Sequence, residues 1–288
     1  MYELKKYKEF TYDIYEIIDN EKGSWLKVVP ERGGIIIGFG VNGEEILFLN
    51  QETLANPEKN IRGGIPILFP ISGQLENGEY EWKGTTYQMK NHGVARNDPW
   101  DVIETKAEDA KASMTLLYKS NHVTKKAFPF DFQLRFTYTL QGKTLTIGQE
   151  YQNKSQTDMP IYAGFHPYFQ TTSKNIFYQT DAKTYLDYND MVEKKIEGSL
   201  DLTEKKESFA LIDAVKNEIS FELPDRGKTI TMTYGKEFTY IVLWTEKDRD
   251  FLCVEPWMAK TGELNRKEEL VMIKPGETLT TFITMTVE

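Results

Sequence analysis

The clearest pattern along the chain is an alternation of apolar and polar residues with a period of two. Over 132–140 every second residue is apolar and the residues between them are polar. This period is typical of a strand with one buried face. A turn at Gln141-Gly142 is followed by renewed alternation as far as Tyr151. We therefore predict a β-hairpin over 134–151.

Four other segments have a strand pattern, and no segment has a long helical period with caps at both ends. The predicted strands cover 229–234, 240–244, 251–255 and 279–287. The stretch 202–214 is predicted to be a short helix or a loop. The fold class is therefore all-β, a large antiparallel sandwich. We expect one domain over 1–288, because such sandwiches run to roughly 250 residues or somewhat more and no linker interrupts the chain.

Composition and charge exclude several classes of partner. The chain is 40% hydrophobic and 13% aromatic, which is enough for a large core. A net charge of −9 repels nucleic acid and anionic lipid. Apolar runs such as 65–71 are far below the ~20 residues that span a bilayer. The single cysteine, Cys253, and a start without an apolar stretch predict a cytoplasmic protein with an inert, buried thiol.

The three histidines are the first candidates for proton transfer. His122 lies in a polar stretch and is expected at the surface. His166 lies among aromatic residues and precedes Pro167, which keeps its backbone extended. A partly buried imidazole in that position could donate a proton near pH 7. The alternative is a core histidine whose polar atoms are satisfied by hydrogen bonds.

Glu255 is the second candidate for proton transfer. In a strand it shares one face with Phe251 and Cys253, and these neighbours desolvate its carboxylate. Desolvation raises the pKa of a carboxyl group toward the range that suits a general base. The alternative is that strand pairing ends at Pro256 and Glu255 faces water.

Two segments combine arginine with glycine, a pattern that lets ligand and backbone approach closely. Arg62 precedes two glycines, and His92 lies four residues before Arg96. Two guanidiniums and an imidazole could converge on sugar hydroxyls or on a phosphate. Either arginine alone is more often a partner in a surface ion pair, so the signal lies in the combination.

Taken together, five segments resemble the aldose 1-epimerase (galactose mutarotase-like) superfamily and occur in the family's order. They are RGGIPILFP at 62–70, HGVAR at 92–96, PFDF at 129–132, GFHPYF at 164–169 and VEPW at 254–257. Some of them are similar to LacX-type aldose 1-epimerases, and others are similar to hexose-6-phosphate mutarotases. The sequence lies between these two branches.

The resemblance implies an antiparallel β-supersandwich with a shallow site on a concave face and with neither a metal nor an organic cofactor. In such a protein His166 is the acid and Glu255 is the base. The positions that match the family's sugar site are Arg62, His92, Arg96 and, as an acidic residue between the two catalytic ones, Asp213.

The function expected from these residues is interconversion of the α and β anomers of a hexose or a hexose 6-phosphate by a monomer or homodimer. One alternative is a carbohydrate-binding or sugar-sensing protein without turnover. Retention of both His166 and Glu255 favours the enzyme, because binding alone needs no acid beside a base. A glycoside hydrolase or lyase would need a second carboxylate or a tyrosine base, and no carboxylate partner for Glu255 is evident.

Overall fold

A computed structural model describes residues 1–288, and almost all of its regular structure is β-strand. The twenty-seven strands are, in chain order, β1 Tyr2–Glu9, β2 Tyr12–Asp19, β3 Ser24–Val29, β4 Ile35–Val41, β5 Glu44–Glu45, β6 Ile67–Leu68, β7 Glu79–Trp82, β8 Thr85–Gln88, β9 Asp101–Ala107, β10 Ala112–Lys119, β11 Phe132–Gln141, β12 Thr144–Asn153, β13 Met159–Ile161, β14 Gly164–Phe165, β15 Tyr168–Gln170, β16 Asn175–Ile176, β17 Tyr178–Gln179, β18 Thr184–Asp187, β19 Val192–Lys195, β20 Leu200–Asp201, β21 Phe209–Leu211, β22 Glu218–Leu223, β23 Lys228–Tyr234, β24 Tyr240–Trp244, β25 Phe251–Trp257, β26 Val271–Ile273 and β27 Thr278–Val287.

Helical structure is limited to short connections. The α-helices are α1 Gln51–Ala55, α2 Thr124–Ala127 and α3 Glu263–Arg266, and single 3-10 turns cover Pro30–Arg32 and Glu76–Gly78. None of these helices has the length and hydropathy needed to cross a membrane.

One eight-stranded antiparallel sheet, called the hairpin sheet below, has the strand order β17-β22-β23-β27-β12-β11-β10-β9. The predicted hairpin is confirmed as β11 and β12, which pair over their full length with Thr137 opposite Gly148. The predicted strands 229–234 and 279–287 are confirmed as β23 and β27, which are neighbours in this sheet. The antiparallel all-β class predicted from period two is therefore confirmed.

A second antiparallel sheet, called the site sheet, has the order β19-β18-β21-β24-β25-β14-β6, with β15 also paired to β25. The predicted strands 240–244 and 251–255 are β24 and β25, and β25 continues to Trp257. The prediction for 202–214 was wrong in part, because Phe209–Leu211 forms β21 between β18 and β24. Three residues are too few to show a period in the sequence. This strand forms because the backbone groups of β18 and β24 on either side of it need hydrogen-bond partners.

The main core contains 62 buried residues and includes side chains from both eight-stranded sheets. Alternation along β25 divides its side chains between two faces of the site sheet. Leu252 and Val254 join the main core, whereas Phe251 and Cys253 belong to a separate small cluster. Because successive strand side chains point to opposite faces, Glu255 lies on the second face together with Cys253.

The five-stranded sheet β1-β2-β3-β4-β5 supports the segment that carries Arg62. Isolated bridges join Ile36 to Ile65 and Leu49 to Gly63. Arg62 precedes these bridged residues and is held beside the end of α1, where its backbone N–H donates to the hydroxyl of Thr53 at 3.0 Å.

The loop that carries His92 and Arg96 is held against Phe69 by an unusually close backbone contact. Gly93 forms a bridge with Phe69, and the N–H of Val94 donates to the carbonyl of Phe69 at 2.7 Å. Gly93 has φ of +84°, and a Cβ there would lie 2.1 Å from that carbonyl oxygen. Only glycine fits this position without displacing the loop.

We therefore expect Gly93→Ala to destabilise the protein well beyond the cost of a positive φ. The matched control is Gly142→Ala, whose φ is +58° and whose Cβ would meet nothing within 4 Å. The control should lose about 1 to 2 kcal/mol of unfolding free energy, and Gly93→Ala about 1 to 3 kcal/mol more. Urea denaturation measures both values, and equal losses would contradict the close-contact argument.

Candidate active site

The centre of the site is a buried contact between His166 and Glu255. His166 lies between β14 and β15, where its backbone N–H donates to the carbonyl of Pro66 at 3.1 Å. Its Nε2 atom is 3.4 Å from Oε1 of Glu255. Only 5% of His166 and 1% of Glu255 is exposed, so both groups are almost fully removed from bulk water. The structure therefore brings the two predicted proton-transfer residues together.

Aromatic rings hold the imidazole of His166 in place. The ring of Tyr168 stacks on it with 4.6 Å between centroids and 9° between planes. The ring of Trp244 meets it edge-on at 5.6 Å and 89°. The Nδ1 atom of His166 is buried without a hydrogen-bond partner, so packing fixes this ring where hydrogen bonds do not.

Trp257 orients the carboxylate of Glu255. Its indole Nε1 donates a hydrogen bond to Oε2 at 3.1 Å. The two residues are two positions apart in β25, so their side chains leave the same face of the site sheet. Oε2 is thereby occupied, and Oε1 remains free to face His166.

Burial shifts the proton affinities of the pair in opposite directions. It raises the pKa of Glu255 well above its usual range, and the hydrogen bond from Trp257 and the charge of Arg96 only partly oppose this shift. Burial also lowers the pKa of His166 well below its usual range, and the neighbouring His92 and Arg96 lower it further. Both shifts favour the neutral pair, in which Glu255 is protonated and His166 is not.

His92 supplies a hydrogen-bond donor beside the pair. Its ring lies 5.5 Å from that of His166 and 6.1 Å from that of Trp257. Burial, with the charges of Arg96 and Arg62, lowers the pKa of His92 well below its usual range. Its Nδ1 atom accepts the backbone N–H of Gly73 at 3.1 Å. A neutral imidazole that accepts at Nδ1 carries its hydrogen on Nε2, where it can donate to a ligand hydroxyl.

The two predicted arginines occupy different environments. Arg96 is only 4% exposed and donates to the carbonyl of Ile61 at 3.1 Å, while its Nε atom is buried without a partner. Arg62 is partly exposed, lies 5.4 Å above the ring of Trp244 and approaches Glu246 to 3.3 Å. Arg96 is thus a fixed wall of the site, and Arg62 lies at its mouth.

Comparison with known proteins identifies the family of the chain. A family model described as aldose 1-epimerase matches residues 16–286. The chain belongs to the aldose 1-epimerase family. Its resemblance to that superfamily, inferred from five short segments, is therefore confirmed over almost the whole chain.

Individual relatives lie in both branches of the aldose 1-epimerase family that the sequence resembles. The crystal structure of the Slr1438 protein from Synechocystis sp. PCC 6803 has a TM-score of 0.92 and 35% identity, over 98% of this chain and 99% of that one. The plasmid LacX protein of Lactococcus lactis is 24% identical over 70% of this chain and 76% of its own. A Salmonella typhimurium protein provisionally named glucose-6-phosphate 1-epimerase is 30% identical, but the match spans only 44% of this chain and 40% of that protein.

Asp213 is the one predicted site residue of this family member that the structure does not bring to the pair. It is exposed, and its carboxylate accepts the backbone N–H groups of Lys183 at 2.8 Å and Thr184 at 3.0 Å. Ala210 and the partly buried Ile212 pack in the same cluster as Trp257, whereas Asp213 lies beyond the end of β21 and faces solvent. Its carboxylate fixes the start of β18.

Four aromatic or acidic residues of the site were absent from the sequence-based set. They are Tyr168, Trp244, Glu246 and Trp257. The sequence did contain a signal for Trp257, because it alternates with Glu255 in one strand. It contained none for Glu246, which reaches Arg62 only because β24 ends beside the segment that carries that arginine.

Cys253 is fully buried as predicted, and burial raises the pKa of its thiol well above the usual range. The structure also places it at the pair, since one ligand atom each of His166, Cys253 and Glu255 lies within 4.8 Å of the others. Such a set could hold a metal ion, a possibility that the scattered sequence positions had concealed. Cys253 packs with Tyr168 and Phe251 and so forms part of the apolar floor of the site.

Proposed function

We propose that this protein is an active aldose 1-epimerase that interconverts the α and β anomers of a hexose, with hexose 6-phosphate as the preferred form. One observation supports this proposal above the others, namely the buried approach of His166 Nε2 to Glu255 Oε1 at 3.4 Å. A sugar-binding protein without turnover has no use for such a pair, because burying two ionisable groups costs stability.

In the proposed reaction Oε1 of Glu255 removes the proton from the C1 hydroxyl while Nε2 of His166 delivers a proton to the ring oxygen. The bond between C1 and the ring oxygen breaks, and C1 becomes an aldehyde carbon. Rotation about the C1–C2 bond then presents the other face of the aldehyde. The same two residues work in reverse, and the ring closes to the opposite anomer.

The proton balance of the pair suits this sequence of steps. Ring opening starts with His166 protonated and Glu255 ionised and ends with both neutral, so the pair holds one proton throughout. The burial that raises the pKa of Glu255 and lowers that of His166 favours the neutral pair, which is also the favoured state of the unliganded site. The ionised pair therefore has to form when the sugar binds, and relative to it burial stabilises the ring-opened state.

The surrounding residues supply orientation. The hydrogen bond from Trp257 Nε1 to Oε2 of Glu255, at 3.1 Å, leaves Oε1 as the proton acceptor. The hydrogen on Nε2 of His92 can hold a sugar hydroxyl, which fixes the ring relative to the pair. Arg96, locked to the carbonyl of Ile61, adds a second fixed donor.

The preference for a phosphorylated hexose has two supports. The Salmonella typhimurium relative has a name that specifies glucose 6-phosphate. In addition, Arg62 lies at the mouth of the site with a side chain that is 40% exposed, and its pairing with Glu246 is weak enough to be exchanged for a ligand anion.

We expect His166→Ala and Glu255→Gln each to reduce anomer exchange by at least ~10²-fold, because each removes one half of an acid–base pair. The matched control is His122→Ala, which removes an exposed histidine and should leave exchange unchanged. NMR exchange spectroscopy on the α and β anomers of glucose and glucose 6-phosphate measures the rates, and circular dichroism verifies the fold. Full exchange in either active-site variant would refute its assigned role.

The dependence of kcat/KM on pH should show a plateau with a fall on each side. Below the lower pKa the pair holds two protons and Glu255 cannot accept one, whereas above the upper pKa it holds none and His166 cannot donate one. Burial raises the pKa of Glu255 and lowers that of His166, so the fall on the acidic side reports protonation of His166 and the fall on the alkaline side reports ionisation of Glu255. This order is the reverse of that of the free groups, since free His titrates near ~6.5 and free Glu near ~4.3. After subtraction of spontaneous exchange, an NMR titration should show the imidazole of His166 neutral across the plateau, and a protonated imidazole there would contradict the opposed shifts.

A further inference from the structure

A small cavity of about 160 Å³ opens beside Arg62, away from the residues that carry out proton transfer. Its polar lining consists of Asn50, Thr53, Arg62, Glu246 and Arg249. Arg249 lies in none of the segments that resemble the family. The cavity thus contains a second guanidinium that the sequence did not suggest.

Two aromatic residues connect the cavity to His166 and Glu255. Phe251 lines it and shares a strand face with Glu255. Trp244 links the two places, because its ring is 5.6 Å from that of His166 and 5.4 Å from Cζ of Arg62. The guanidinium of Arg62 is therefore no farther from the imidazole of His166 than the sum of these two distances. A hexose with a substituent on C6 can span that separation.

The donors in this cavity are free or easily freed. Arg249 is exposed and has no ion-pair partner, whereas its neighbours Lys247 and Glu246 are both paired. The side chains of Arg62 and Glu246 are 40% and 35% exposed, and a pair so exposed is held weakly. Asn50 accepts the N–H of Thr53 with its side-chain oxygen at 2.9 Å, which leaves its amide NH₂ group available.

We propose that this cavity binds the phosphate of a hexose 6-phosphate, with Arg62 and Arg249 as the charged donors and Asn50 as a neutral one. The lining of the cavity carries two guanidiniums and a single carboxylate, that of Glu246, so the lining itself is net positive in a protein of net charge −9. Planar guanidiniums suit phosphate oxygens. Arg96 is the other arginine that the sequence motifs suggested. It is buried and bonded to a carbonyl, so we assign it to the sugar ring and not to the phosphate. This inference rests on the proposed epimerase function.

The test compares kcat/KM for glucose 6-phosphate with that for glucose in four proteins: the wild type, Arg249→Ala, Arg249→Lys and Arg135→Ala. Arg135 is an exposed arginine on β11 and serves as the matched control. In Arg249→Ala we expect the ratio to fall about tenfold or more, because one charged hydrogen bond to phosphate is lost. Arg249→Lys should keep part of the preference, and the control should keep all of it.

A second measurement separates this inference from the proposed activity. Calorimetric titration with glucose 6-phosphate should show weaker binding to Arg249→Ala than to the wild type, with Arg135→Ala unchanged. If this pattern appears without any anomer exchange, the phosphate site stands and the epimerase function fails. If exchange occurs but the ratio is near one in the wild type, or is unaltered in Arg249→Ala, the phosphate site is refuted and the epimerase function stands.

Discussion

The burial of His166 beside Glu255 is the constraint on which the rest of the site depends. Two groups 3.4 Å apart and almost without solvent contact need a scaffold that neither admits water nor lets either side chain turn away. Close pairing of β14 with β25 provides it. Gly164 lies opposite Trp257, and a Cβ on that glycine would come within 2.8 Å of the indole. A larger residue in place of Gly164 would push the two strands apart. This glycine therefore keeps the strand that leads to His166 close to the strand that carries Glu255.

From this pair the surroundings change character in two directions. Toward Trp257 and His92 the site is enclosed, and each of these side chains is held by a fixed hydrogen bond. Toward Arg62 and Arg249 it opens to solvent, and its charged groups are paired weakly or not at all. A polar ligand that extends from the pair toward the open end would meet rigid donors around its reacting atoms and adaptable charges farther away. Rigidity is thus concentrated where geometry decides the chemistry.

The sequence predicted those features that follow from period two. The hairpin, four further strands and the face on which Glu255 lies all depend on alternation, and each is confirmed. Alternation gave no guidance for Asp213, because the preceding strand Phe209–Leu211 was too short to be recognised. The meeting of His92 with the catalytic pair depends on positive φ at that residue and on a loop pressed against Phe69, and no periodicity encodes such a contact.

Burial and the neighbouring arginines act on the pair of His166 and Glu255 in different ways. A positive charge such as that of Arg96 lowers the pKa of both His166 and Glu255, and so moves the range in which the pair holds one proton. The charge of Arg96 has little effect on whether His166 or Glu255 holds the proton, because the pair has the same net charge in either case. Burial raises one pKa and lowers the other, and therefore decides which group holds the proton. For the proposed reaction, the apolar floor of the site thus acts on the balance between the ionised and the neutral pair, while the arginines act on the pH range in which the pair holds one proton.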